Sequence, residues 1–212
     1  YRGYAAQDLC AACKFEEVAY LILNKDLPNS IQLKKFEKEE KDNRELSNNL
    51  YEIIKNMPKK SHPMDVARTA VSVMGLEDKE TQDSSPEANM RKALRIFAKT
   101  PTALAAFYRI RNGKKIIKPK KTFTFAENFF YMCFGKVPQK AIVKAFDVSL
   151  ILYAEHSFNV STFTARTITS SLSDIHGAIT GAIASLKGPL HGGANEEVMH
   201  MMNKIKKPEN AL

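Results

Sequence analysis

The stretch HPMDVARTAVSVMG, residues 62–75, decides how the rest of the sequence reads. Pro63 stands where a helix begins: the first turn makes no use of the missing N–H, and the ring presets φ. Gly75 is expected to end the element. The same punctuation recurs along the chain. Ser85-Pro86-Glu87 opens one helix, and Thr100-Pro101 opens the next, which Gly113 closes.

Upstream, FEEVAYLIL sets Phe15, Val18, Ala19 and Ile22 on one face at 3.6-residue spacing. Ser30 then opens a charged helix, IQLKKFEKEEKDNREL, with Leu33 and Phe36 as its apolar contacts. Downstream, KKIIKPKK is a basic connector and Thr124 caps AENFFYMCF. A long helix, QKAIVKAFDVSLILYAE, follows Pro138 and runs to about Glu155. Two more begin near Ser161 and Ser173. The last starts at Asn195, with Glu196 and Glu197 in its first turn, as the helix dipole prefers. No alternating strand pattern, repeat period or phosphate-binding glycine fingerprint interrupts this series. The sequence predicts an all-α protein.

Its 212 residues allow one large domain or a domain and a half. Apolar residues at 44% and charged residues at 26% are close to globular averages, which favours neither a disordered nor a membrane class. The longest weakly charged stretch, Thr167 to Leu186, holds Asp174, His176 and many Ser and Thr residues, and fails as a membrane span. Three cysteines, an odd number, argue against a disulfide framework and for a reducing compartment, so the expected location is cytoplasmic. Cys10 and Cys13 form CAAC, but no second Cys or His pair lies nearby to complete four ligands, so no metal is expected.

The formal charge of +9 admits a nucleic-acid surface or a site for an anionic ligand. The lysines are dispersed (Lys34, Lys35, Lys38, Lys41, then Lys114 to Lys121) with few interleaved aromatics. That favours solvated helix faces and a basic loop, with no nucleic-acid partner. A basic all-α nucleic-acid-binding protein, or a non-catalytic helical protein, stands as the alternative reading. Tyr1 opens the chain in place of a methionine, and KKPENAL follows directly on a helix, so the chain reads as a fragment.

Two of the five histidines stand apart. His156 lies in YAEHSFNVSTFTAR, where a long apolar helix gives way to the natural cap Asn159. His191 lies in GPLHGGAN, on a glycine turn ahead of a helix anchored by Val198, Met201, Met202 and Ile205. Side chains at helix ends can converge on one ligand from different elements. His176 and His200 lie within helices and read as structural. No nucleophile spacing and no HExxH accompanies either of the first two. On the residues alone, each is as much structural as functional.

The segments YRGY, FEEVAYLILNKDLP, HPMDVARTAVSVMG, SSPEAN, LYAEHSFNVSTFTAR and GPLHGGANEEVMH run in an order that resembles the citrate synthase family. The likeness covers essentially the whole chain and is strongest to the bacterial-type citrate and 2-methylcitrate synthases. It implies a citrate synthase-like multi-helical large domain over residues 1–190, with 191–212 the start of a smaller helical domain. It also implies a reaction in which acetyl-CoA or propionyl-CoA condenses with oxaloacetate to give citrate or 2-methylcitrate and free coenzyme A. An aspartate removes the proton beside the thioester carbonyl, and a histidine hydrogen-bonds the oxygen of the resulting enol. The enol carbon attacks the ketone of oxaloacetate with the help of a second histidine, and hydrolysis follows.

Carried over by motif, His191 is the enol-stabilising histidine and His156 an oxaloacetate ligand. Lys41 or Arg44 supplies a basic residue facing substrate, while Arg68 and Arg166 read as structural. Gly192 and Gly193 either let the backbone approach the substrate closely or only make a tight turn into the helix. Coenzyme A enters as substrate, and no cofactor is implied. The family forms homodimers through regions that include NVSTFTARTITSSL and DIHGAITGAIASL, with no membrane partner. Acetyl and propionyl differ by one methylene, worth about 1–3 kcal/mol in a hydrophobic pocket, and the preference stays open. The family's second catalytic histidine, in a GFGH-like motif, its catalytic aspartate and its carboxylate-binding arginines belong beyond Leu212. The chain alone is therefore expected to be inactive and poorly soluble.

Overall fold

A computed structural model describes residues 1–210; residues 211–212, the end of the segment expected to open a second domain, lie outside the described residues. No strand occurs among the described residues. The helices are α1 (Ala6–Ala12), α2 (Phe15–Asn24), α3 (Ser30–Asp42), α4 (Asn48–Asn56), α5 (Pro63–Glu77) and α6 (Pro86–Arg111). They continue with α7 (Phe125–Phe134), α8 (Lys140–Tyr153), α9 (Val160–Thr169), α10 (Ile175–Leu186) and α11 (Gly193–Ile205). None is long and apolar enough to cross a membrane.

Most helices begin on a side chain that satisfies an N–H left over by the first turn. Thr124 accepts from the Glu127 N–H while the Glu127 carboxylate accepts from the Thr124 N–H, a reciprocal box at the expected start of α7. Asn29, not Ser30, caps α3 by accepting from the N–H groups of Ile31 and Gln32. The α11 helix starts at Gly193, two residues before the expected Asn195.

Two helix boundaries expected from the sequence do not exist. Thr100-Pro101 starts nothing, because α6 runs through Pro101 without a break. An interior proline costs about 3 kcal/mol, but Ala98, Thr102, Ala103, Ala106 and Phe107 are all buried around it. Burial along the whole helix outweighs the lost bond. Gly75 does not stop α5 either. A Cβ there would lie 2.8 Å from Cβ of His176 on α10, so the glycine permits two helices to cross closely.

One core gathers Leu50 and Ile54 of α4, Val71 of α5, and Ala103 and Phe107 of α6, with Ile175, Ile179 and Ile183 of α10 laid against it. A second holds Leu9, Val18, Leu21, Phe36 and Ile151, with Phe97 stacked on Phe125 at 4.8 Å. Helix α10 therefore lies over α5 and carries α9 on its other side, while α8 lies over α1 and α2. This stacking brings the α8–α9 junction and the end of α10 beside the first turn of α5.

Candidate functional site

Helix α8 ends at Tyr153, and the chain turns before α9. Phe158 takes a left-handed conformation there, with φ of 58°, which a bulky residue adopts only under constraint from its surroundings. Asn159 then restarts the helix, its Oδ1 accepting from the Ser161 N–H at 3.1 Å and from Ser161 Oγ at 2.5 Å. His156 is exposed in this connection, edge-on to the Tyr153 ring at 6.1 Å.

After α10 the chain folds back on itself. The Gly188 carbonyl accepts from the N–H groups of His191 and Gly193 at 2.9 and 3.2 Å. A Cβ on Gly192 would sit 2.4 Å from the Leu186 carbonyl oxygen, and one on Gly193 would sit 3.1 Å from that of Gly188. Both glycines are thus required by the packing of the turn against its own backbone. The tight-turn reading accounts for them without any approach to substrate.

His191 is half-buried, and its Nε2 accepts from the Ser161 N–H at 3.3 Å. A backbone N–H can only donate, so Nε2 carries no proton, and the neutral ring holds its proton on Nδ1. The junction that presents His156 therefore also sets the tautomer of His191. Both histidines line one cleft of about 880 Å³, together with Ser161, His62, Lys187 and Glu196.

The last three are not singled out by the sequence reading. His62 is the N-cap of α5, its Nδ1 accepting from the Met64 N–H at 3.1 Å, and its Nε2 faces Glu196 Oε2 at 3.2 Å. Lys187 Nζ lies 2.7 Å from Asp65 Oδ2, and this hydrogen bond holds the Asp65 carboxyl below its ordinary range. The signal that could have found His62 is its place one residue before Pro63, since a ring nitrogen at an N-cap leaves a spare nitrogen to present elsewhere.

Neither basic candidate from α3 and its C-terminal flank lines the cleft. Arg44 is 2% exposed and spent on the fold: it makes a bidentate pair with Glu40 at 2.7 and 2.6 Å and donates to the Lys120 and Phe123 carbonyls. Its expected substrate contact is corrected to a structural role, because a buried guanidinium with four bonds of this kind has no free face to offer. Lys41 pairs with Glu37 at 3.1 Å. Arg68 pairs with Asp65 at 2.9 Å.

The basic connector is also engaged locally. Lys118 meets Glu45 at 2.8 Å, Lys121 meets Asp42 at 2.6 Å, and Lys120 lies over the Tyr131 ring at 4.7 Å. Cys10 and Cys13 are free thiols, and no group of three or more potential ligands for a metal occurs among the described residues.

The family model described as "Citrate synthase, C-terminal domain" matches residues 1–212. The 2-methylcitrate synthase of Mycobacterium tuberculosis and the citrate synthase of Mycolicibacterium smegmatis are each 49% identical over 211 residues. Each alignment takes in 100% of this chain, and 53% and 56% of the respective relative. The chain thus spans about half the length of the curated relatives it matches. The crystal structure of citrate synthase from Pyrobaculum aerophilum superposes with a TM-score of 0.93 at 37% identity, covering 100% of this chain and 55% of that one.

Proposed function

The chain belongs to the citrate synthase family, and on that premise we propose that the complete protein condenses acetyl-CoA or propionyl-CoA with oxaloacetate, releasing citrate or 2-methylcitrate and coenzyme A. His191 donates from Nδ1 to the thioester oxygen as the enol forms, and His156 binds oxaloacetate. The supporting observation is the hydrogen bond from the Ser161 N–H to His191 Nε2, which leaves a single donor on the neutral ring, inside the cleft that His156 lines. A proton beside a thioester is a very weak acid. Charge developing on the oxygen must therefore meet a donor already in place, and removing one costs about 2.7–4 kcal/mol of barrier.

Relatives bearing the two synthase names are equally similar, so the proposal covers both acyl groups. Residues 1–190 belong in this reading to a large helical domain and 191–212 to the start of a smaller one. The reaction calls for no cofactor beyond the coenzyme A of the substrate. Exposed Phe163 and Leu172, on and after α9, support a homodimer that covers them, and the odd cysteine count supports a cytoplasmic location.

The test is oxaloacetate-dependent appearance of free coenzyme A thiol with the complete protein. His191→Ala is expected to lower kcat about 10²–10³-fold. Unchanged turnover removes His191 from the mechanism, and the ratio of kcat/KM for the two thioesters assigns the acyl group.

A further inference from the structure

The turn that presents His191 has little to hold it. Its internal bonds run between backbone groups: His191 and Gly193 donate to the Gly188 carbonyl, and Ala194 donates to that of His191. Leu190 is fully exposed, and no described side chain of α11 is buried. An imidazole that must meet a reacting atom needs more fixity than such a turn supplies, because a displacement of about 1 Å can cost about 10²-fold in rate.

The neighbouring first turn of α5 is firm. Val66 and Ala67 are buried, His62 Nδ1 closes the helix start on the Met64 N–H, and Asp65 is paired with Arg68. From this turn two side chains reach across to the His191 segment, one on each side of it. Asp65 takes Lys187 at 2.7 Å, immediately before the turn. His62 faces Glu196 at 3.2 Å, immediately after it. Since His62 Nδ1 is an acceptor, the neutral ring carries its proton on Nε2, the nitrogen directed at the carboxylate.

We propose that Asp65 and His62 are positioning residues, a two-point brace that acts through Lys187 and Glu196 to hold the His191 turn against α5. Neither touches the reacting atoms. Each link is partly exposed and weak singly, but the two bracket the turn, so loosening either end frees the ring between them. The inference rests on the condensation reading for its effect on rate, and on the geometry alone for its effect on the turn.

The experiment uses the complete protein with Asp65→Asn, Lys187→Met, Glu196→Gln and His62→Asn; the last keeps a side-chain acceptor for the Met64 N–H but falls short of Glu196. Each is expected to lower kcat about three- to tenfold. KM for oxaloacetate is expected to hold within about twofold, because His156 comes from the α8–α9 junction, outside the brace. Lys187→Arg, which keeps the pair, is expected to retain wild-type kcat. In parallel, amide hydrogen exchange at His191, Gly193 and Ala194 is expected to accelerate in the four variants, with α5 and α10 unchanged. Unchanged exchange at those amides overturns the brace whether or not the protein is active. Unchanged kcat in an active protein overturns it as well. A wild-type protein that releases no thiol overturns the functional reading instead, and the exchange result still decides the brace.

Discussion

Helices α6 and α9 use the same local grammar and reach opposite ends. Each starts on a side-chain cap, Ser85 for α6 and Asn159 for α9. The α6 helix sinks Leu94, Ile96, Ala103 and Phe107 into the body of the protein, whereas α9 has no buried residue and leaves Val160 and Phe163 exposed. α11 repeats the pattern of α9, with Val198, Met199, Met201 and Met202 all exposed. An apolar stripe specifies that a helix needs cover; it does not specify what provides it. In α4–α6 the chain covers itself, and around the cleft it does not.

The sharpest test of that contrast is a pair of phenylalanines. Phe107→Ala, at a site 1% exposed, is expected to cost about 3–5 kcal/mol in denaturant unfolding of the chain. Phe163→Ala, at a site 71% exposed, is expected to stay within about 0.5 kcal/mol. Equal costs would break the comparison by showing α9 covered in solution. A smaller effect, about 3 kcal/mol, is expected for Arg44→Ala, which strands the buried Glu40 carboxylate. Replacing both partners by apolar residues, Arg44→Met with Glu40→Leu, is expected to recover most of that loss. If the double replacement is no better than the single one, the cost lies in the bonds to the Lys120 and Phe123 carbonyls instead.

Caps probe the same contrast more gently. Thr124→Ala is expected to cost about 1 kcal/mol of global stability, because α7 is tied into the body. Asn159→Ala is expected to show as local fraying of α9 by hydrogen exchange, with less change in the unfolding midpoint. The smallest effect concerns the seam that joins the two regions. Burial is the largest influence on His176 and pushes its pKa below the ordinary 6.5, against the pull of Asp78 and Asp174. A histidine depressed in this way binds its proton less tightly when folded. Its contribution is present above pH 6.5 and is lost as the pH falls from there through the folded value. Unfolding free energies measured from pH 7 to pH 5 are expected to fall less steeply for His176→Asn than for wild type.

The misreadings have one cause in common. Pro101 and Gly75 look like punctuation when only neighbours in sequence are weighed, and both turn out to lie inside helices held by distant partners. Arg44 looks available because arginines are usually solvated, and only the fold brings Glu40 and two carbonyls of the 120–123 segment around it. The glycines after His191 look aimed at a ligand until the Leu186 and Gly188 carbonyls are seen pressed against them. His62 escapes notice for the converse reason: its partner Glu196 lies 134 positions away.

What the residues alone determined is whatever depends on the nearest few neighbours: the all-helical class, the cap at Thr124, and the placing of His156 and His191 at helix ends. Those follow from hydrogen bonds and side-chain periodicity that act within one or two turns. Which helix crosses which, which charges are consumed by the fold, and which nitrogen of His191 keeps its proton were decided by packing between segments far apart in the chain. A local pattern leaves those choices degenerate, and burial of one particular set of surfaces selects among them.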